Sequence, residues 1–266
     1  MKRSLNLLVL AALLTAAAYG QRNQPDTLAY AADRANVPDA IAKLKSGNFA
    51  LVHIDMIAKF GAVEAVPALK EQFIRSKDPL VKAKIASALV RLGDRDEIYW
   101  DFLVKEATKA VESDMPDFMN FDPEAKTGAG PSPEFVAWAK AHNMSPNGPG
   151  SAAADAMQWF PGRVMLLSLT GDRKAIPLLR QALLSPNHMI EIAGAEGLAE
   201  LRDKDSIPLI IEACRRAPPA AAGAIADNLV YFDDPDAQNA VDTYVAKDRA
   251  KILREARAAG KTGPLD

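Results

Sequence analysis

Apolar residues along most of the chain return every three or four positions, the spacing that gathers them on one face of an α-helix. Val66, Leu69 and Phe73 make one such stripe. After a break at Lys77-Asp78-Pro79, Val81, Ile85, Leu89 and Leu92 make a second. No stretch shows the alternation with period two that marks a half-buried strand. The punctuation agrees with paired helices. Pro67, Pro177 and Pro208 suit the first turn of a helix, where no intrahelical acceptor waits for the N–H that proline lacks. Asp78 before Pro79, and Asn187 after Pro186, are placed to accept from the free N–H groups that open the second helix. Gly93 and Gly171 are placed to supply the left-handed residue that ends it.

The pairs repeat. Gly61-Ala62-Val63-Glu64-Ala65-Val66-Pro67-Ala68-Leu69 is matched by Gly171-Asp172-Arg173-Lys174-Ala175-Ile176-Pro177-Leu178-Leu179. It is matched again by Arg202-Asp203-Lys204-Asp205-Ser206-Ile207-Pro208-Leu209-Ile210. Further units start at Gly93 and Phe232 without the aligned proline, and neighbouring starts lie 30 to 32 residues apart. A constant period of this size means stacked supersecondary units, each covering its neighbour's apolar face. Small residues such as Ala83, Ala86, Ala193, Gly197 and Ala199 allow close helix approach. The fold class expected is all-α, with about five units, a degenerate first one near 25–60 and a single polar helix over 236–259 as a terminal cap.

On these residues the chain resembles the HEAT-repeat family, in particular the short bacterial type named after the phycobilisome lyases. The shared pattern is Gly-Asp-x-x-Ala-Ile-Pro-x-Leu, then Asp or Asn opening the second helix, then Ala-x-x-x-Leu. It covers 49–112 and 152–245. Lys82 and Glu191 stand where the family often has an arginine. The resemblance implies a right-handed α-solenoid that binds a protein or peptide on its concave helix face. It also implies an alternative, an enzyme-associated subunit of the lyase type, since similar repeats occur in bilin lyases and in a diiron hydroxylase, whose His-Glu pairs this chain lacks. A structural component of the envelope is a third reading.

One interval breaks the period. Gly93 and Gly171 are 78 positions apart. Residues 97–112 read as a first helix and 152–169 as the second, so an insertion over 113–151 falls in the turn between them, and Pro161-Gly162 should kink or restart the second helix. Prolines and glycines crowd the insertion. One short helix is expected after Ser132-Pro133-Glu134, which combine a cap, a first-turn proline and an N-terminal acid. Aromatic residues gather here, although they make up only 6% of the chain. They either form a recognition surface or anchor the insertion to the solenoid. Phe118, Phe121, Trp138, His142 and Trp159 are the candidate partner-binding residues. Asp114, Asp117, Asp122 and Glu124 could offer oxygen ligands to a hard cation, but their spacing matches no calcium loop, and turn chemistry accounts for them.

Composition narrows the function classes. Lys and Arg total 32 against 34 Asp and Glu, a net charge of −2, so no basic excess exists to neutralise a nucleic-acid backbone. Met1-Lys2-Arg3, the apolar run from Leu5 to Ala18 and the small residues before Gln21 read as a Sec-type signal peptide over 1–20. That run is shorter than the ~20 residues that span a bilayer. Export of a soluble protein to the periplasm or beyond is expected, with a single domain over 21–260 and a disordered tail over 261–266. Cys214 is the one cysteine and reads as a buried small apolar residue. His53 with Asp55, two positions on, makes a poor acid–base pair on a helix. His188 with Glu191, three positions on, is a second candidate pair, at a helix start expected to face solvent, and both histidines read as structural. No nucleophile elbow or metal motif is present. The expectation is an exported, non-enzymatic scaffold with no cofactor, binding a protein or peptide partner.

Overall fold

The computed structural model describes residues 33–117, 132–143 and 160–260. Among them are thirteen α-helices and no strand. They run α1 (Val37–Ser46), α2 (Leu51–Lys59), α3 (Val66–Arg75), α4 (Pro79–Arg91), α5 (Glu97–Val111), α6 (Pro133–Ala141), α7 (Phe160–Ser168), α8 (Ile176–Ala182), α9 (His188–Glu200), α10 (Ile207–Arg216), α11 (Pro219–Asp227), α12 (Pro235–Tyr244) and α13 (Lys247–Ala258). The pairs are α1/α2, α3/α4, α5/α7, α8/α9, α10/α11 and α12/α13. The second helices α2, α4, α7, α9 and α11 touch in succession and form one continuous layer. This is an α-solenoid.

Local chemistry sets the helix ends. Asp78, Asp96, Asn187 and Asp234 each accept a backbone N–H at the start of the helix they open, and Ser132 does so for α6. Proline occupies the first turn of α3, α8 and α10. A single 3-10 turn precedes each of these three helices, at Val63–Ala65, Arg173–Ala175 and Lys204–Ser206. Gly61, Gly93 and Gly171 have φ of 66°, 91° and 71°, and Arg202, aligned with them, takes φ 52°. A Cβ on Gly194 would lie 2.9 Å from both the Leu179 carbonyl oxygen and the Ala182 Cβ. Glycine there lets α9 press directly on α8.

One apolar core runs between the helix layers from Val37 to Leu253. The insertion does not divide it. The Ser87 hydroxyl of α4 donates to the Leu166 carbonyl of α7 at 2.8 Å, and Arg91 donates to the Leu169 carbonyl at 3.1 Å, joining positions 79 and 78 residues apart. Burial of a shared core makes the units cohere, because each helix pair exposes an apolar face that only its neighbour covers.

The C-terminal expectation needs correction. The expected single helix over 236–259 is broken at Val245, which is extended (φ −97°, ψ 135°) and buried. Turning the chain there puts Val245 into the core and folds α13 back, with Arg254 against Asp242 at 2.9 Å and Arg249 against Asp227 at 3.0 Å. Among the described residues the stack therefore has six helix pairs. The helices expected over 97–112 and after Ser132 are present as α5 and α6. The second helix expected over 152–169 is described from Phe160, with Pro161 in its first turn, while 152–159 fall outside the described residues. So do the signal segment 1–20, the first residues, 25–32, of the unit near 25–60, and the tail 261–266.

Candidate functional site: the second-helix face and the root of the insertion

Among the buried positions of these second helices stands a stripe of part-exposed residues on each helix. On α9 the stripe is Ile192, Glu196 and Glu200, one turn apart. On α4 it includes Lys84, which pairs with Asp55 of α2 at 2.7 Å. On α7 it includes Arg163, whose guanidinium lies over the Phe160 ring at 4.7 Å and beside buried Glu106 at 3.6 Å. On α11 it ends at Asp227, held by Arg249. Burial, with the charge of Glu200 adding to it, pushes the Glu196 carboxyl up to about 7. At neutral pH Glu196 is therefore only partly ionised, and this stripe is less acidic than its residue types suggest.

The insertion is tied down at its root, residues 113–117. Asn187 at the start of α9 donates through its side-chain amide to the Met115 and Pro116 carbonyls at 3.0 and 3.3 Å. The Asp117 carboxylate accepts the His188 backbone N–H at 2.7 Å. Ser132, which caps α6, donates its hydroxyl to the Asp117 carbonyl at 2.7 Å. Met115, Phe135 and Ala139 form a small separate core, with Trp138 and Phe160 packed against it. This gives α6 a footing on the solenoid.

Trp138 is half-buried, its indole N–H donates to Asp114 at 2.9 Å, and its ring lies between Phe135, 6.0 Å away, and His142, 4.3 Å away. Those contacts make Trp138 an anchor. His142 is exposed, with Nδ1 2.9 Å from the Trp138 carbonyl. Phe118, Phe121 and Trp159, like Asp122 and Glu124, lie outside the described residues. Asp114 and Asp117 are engaged in hydrogen bonds, and among the described residues no group of three or more His, Cys, Asp or Glu is arranged to hold a metal ion.

His188 departs from expectation. It does not face solvent, since only 21% of its side chain is exposed. Its Nδ1 lies 2.6 Å from the Glu191 carboxylate and its Nε2 3.8 Å from Asp117. Helical spacing made the Glu191 contact legible. Asp117 could not be found that way, because 71 residues separate it from His188. The hydrogen bond that the protonated imidazole donates to the Glu191 carboxylate raises the His188 pKa above its ordinary value, against the opposing effect of burial. Burial likewise raises that of Asp117. His53 behaves differently. Its Nδ1 accepts the Ala50 N–H at 2.8 Å, and burial with the nearby charge of Lys43 lowers its pKa. Asp55 turns instead to Lys84. Cys214 is buried, which pushes its thiol up to about 12.

Residues 192–216, from the middle of α9 through the turn at Arg202 to the end of α10, match the model of the PBS lyase HEAT-like repeat. That stretch is similar to a single HEAT-like repeat. No curated protein and no solved structure matches it. Within this HEAT-like stack, the two positions that depart from the common arginine make other contacts. Lys82 sits over the Phe73 and Phe102 rings at 4.6 and 5.5 Å. Glu191 is buried and meets Arg216 of the next unit at 3.2 Å. Charged groups here join one HEAT-like unit to the next. No described helix is long and apolar enough to cross a membrane.

Proposed function

We propose that the chain is an exported, non-enzymatic scaffold that binds a protein or peptide partner along its second-helix face, with the insertion bordering that surface. The observation that carries this reading is the unbroken layer α2–α4–α7–α9–α11, backed by one core and flanked at its middle by the docked root of the insertion. A surface built on packed helices loses little conformational freedom on association, so binding energy is not spent on ordering it. Partial neutralisation of Glu196 and the pairing of Lys84 and Asp227 within the protein leave shape as the main determinant of specificity.

The test is recovery of partners from envelope extract by the wild-type chain, by the double variant Ile192→Asp/Glu196→Lys and by a chain lacking 113–151. Loss of the same partner from the double variant is expected, about tenfold or more in recovered amount for removal of a central contact. Equal recovery by all three proteins would refute the proposal. The name of the matched repeat favours a second reading, an enzyme-associated subunit. An enzyme as the captured partner would decide for it.

A further inference from the structure

We propose that Asp117, His188 and Glu191 form a pH-sensitive clasp, which holds the root of the insertion on α9 while the imidazole is protonated and loosens it when the imidazole is neutral. The inference stands whether or not the second-helix face binds a partner. Among the described residues, three elements supply charges that meet at His188. Asp117 comes from the insertion root, with its carboxylate 3.8 Å from Nε2. Glu191 comes from α9, one turn along, at 2.6 Å from Nδ1. Arg216 comes from α10 and lies on the other Glu191 oxygen at 3.2 Å, while also donating to the Leu183 carbonyl at 2.7 Å.

A protonated imidazole has an N–H on each side and bridges the two carboxylates. A neutral ring keeps one. With that proton on Nδ1, where the partner is nearer, Nε2 presents a lone pair toward Asp117. The root then loses its attraction to the ring and keeps a half-buried carboxylate facing another acceptor. The bonds from the Asn187 side-chain amide to the Met115 and Pro116 carbonyls, and from the His188 backbone N–H to Asp117, remain. Opening is therefore graded.

The sign follows from linkage. His188 is raised by the Glu191 hydrogen bond and the Asp117 charge. Its contribution is fully present below the unfolded value near ~6.5 and is lost as pH rises through the higher folded value. Asp117, raised by burial, acts in the same direction over a more acidic range. The size is also set by linkage. For each unit by which the His188 midpoint in the closed clasp exceeds that in the open one, the opening equilibrium rises by about tenfold across the transition.

The experiment uses the whole chain. The Hε1–Cε1 resonances of its three histidines are followed by NMR, and the amide exchange of residues 113–117 and 188 is measured between about pH 5.5 and 8.5, corrected for the intrinsic rate. The His188 midpoint is expected above ~6.5 and that of His53 below it. Opening of the root should increase by the factor that the His188 shift predicts. His188→Gln should remove the pH dependence, and Asp117→Asn should lower the His188 midpoint. A wild-type His188 midpoint at or below the ordinary value, or root opening that is flat with pH, would overturn the clasp without bearing on partner binding. The wild-type measurements decide this even if a variant fails to fold.

Discussion

Replacing Asp203 by alanine should weaken the solenoid at the junction between the α8/α9 and α10/α11 pairs. The Asp203 carboxylate is buried, with 2% of its side chain exposed, and lies 2.9 Å from Arg173, 2.7 Å from Arg180 and 2.5 Å from the Ser206 hydroxyl. Both arginines come from the preceding unit, so the aspartate is a charged rung between units. Each charge-assisted bond is worth about 1.5–3 kcal/mol where solvent is excluded. Arg173 and Arg180 are 62% and 36% exposed and can rehydrate, which removes much of that value. Ser206 is fully buried and cannot. The net loss for Asp203→Ala is about 3 kcal/mol, between a surface pair and a broken buried one. For a chain of this length that lowers Tm by roughly 6–12 °C. Asp203→Asn, which keeps one acceptor, should lose about half as much.

Urea unfolding and calorimetry at pH 7 measure these differences. Arg75→Ala is the reference, since it removes the exposed pair Arg75–Glu71 and should cost below ~1 kcal/mol. The pH dependence is a second readout. Burial pushes the Asp203 carboxyl up, but bonds from Ser206 and Arg180 and the charges of Arg180 and Arg173 outweigh it and hold the pKa below the ordinary range. Its contribution is thus present above the unfolded value of ~3.9 and is lost as pH falls through the folded one. The gap between wild type and Asp203→Ala should narrow below about pH 4. A Tm change no larger than that of Arg75→Ala would refute the buried-rung reasoning.

Gly194→Ala should destabilise the chain by about 1–2 kcal/mol in urea melts, overpacking against the Leu179 carbonyl and Ala182 being offset only in part by alanine's better helix propensity. A neutral or stabilising effect would mean that α8 and α9 separate easily. Cys214, buried and with its thiol raised to about 12, should resist a thiol reagent at pH 8 in the native chain and react fully in denaturant. Rapid native labelling would show that α10 opens freely.

Much of the architecture was legible because helix pairs are local objects. Three- and four-residue spacing identified α3 and α4, Asp78 and Asn187 announced the starts of α4 and α9, and Gly93 and Gly171 adopt the left-handed turn expected of them. The break at Val245 was not legible. The stretch 236–259 is charge-rich and carries no proline or glycine, and only burial of Val245 against the preceding pair makes the chain turn there. Arg202 likewise takes the left-handed turn without being glycine, because its place in the stack demands it.

Residues three or four apart share a helix face whatever lies beyond them, so the sequence alone determined the period, the paired helices and the contact between His188 and Glu191. Only the folded stack decided that Asp117 closes on His188 from 71 positions away, that Asp203 lies between two arginines of the preceding unit, and that Trp138 is held against Phe135 and Asp114. Each of those meetings depends on how successive units are set against one another, a relation that helical periodicity does not encode.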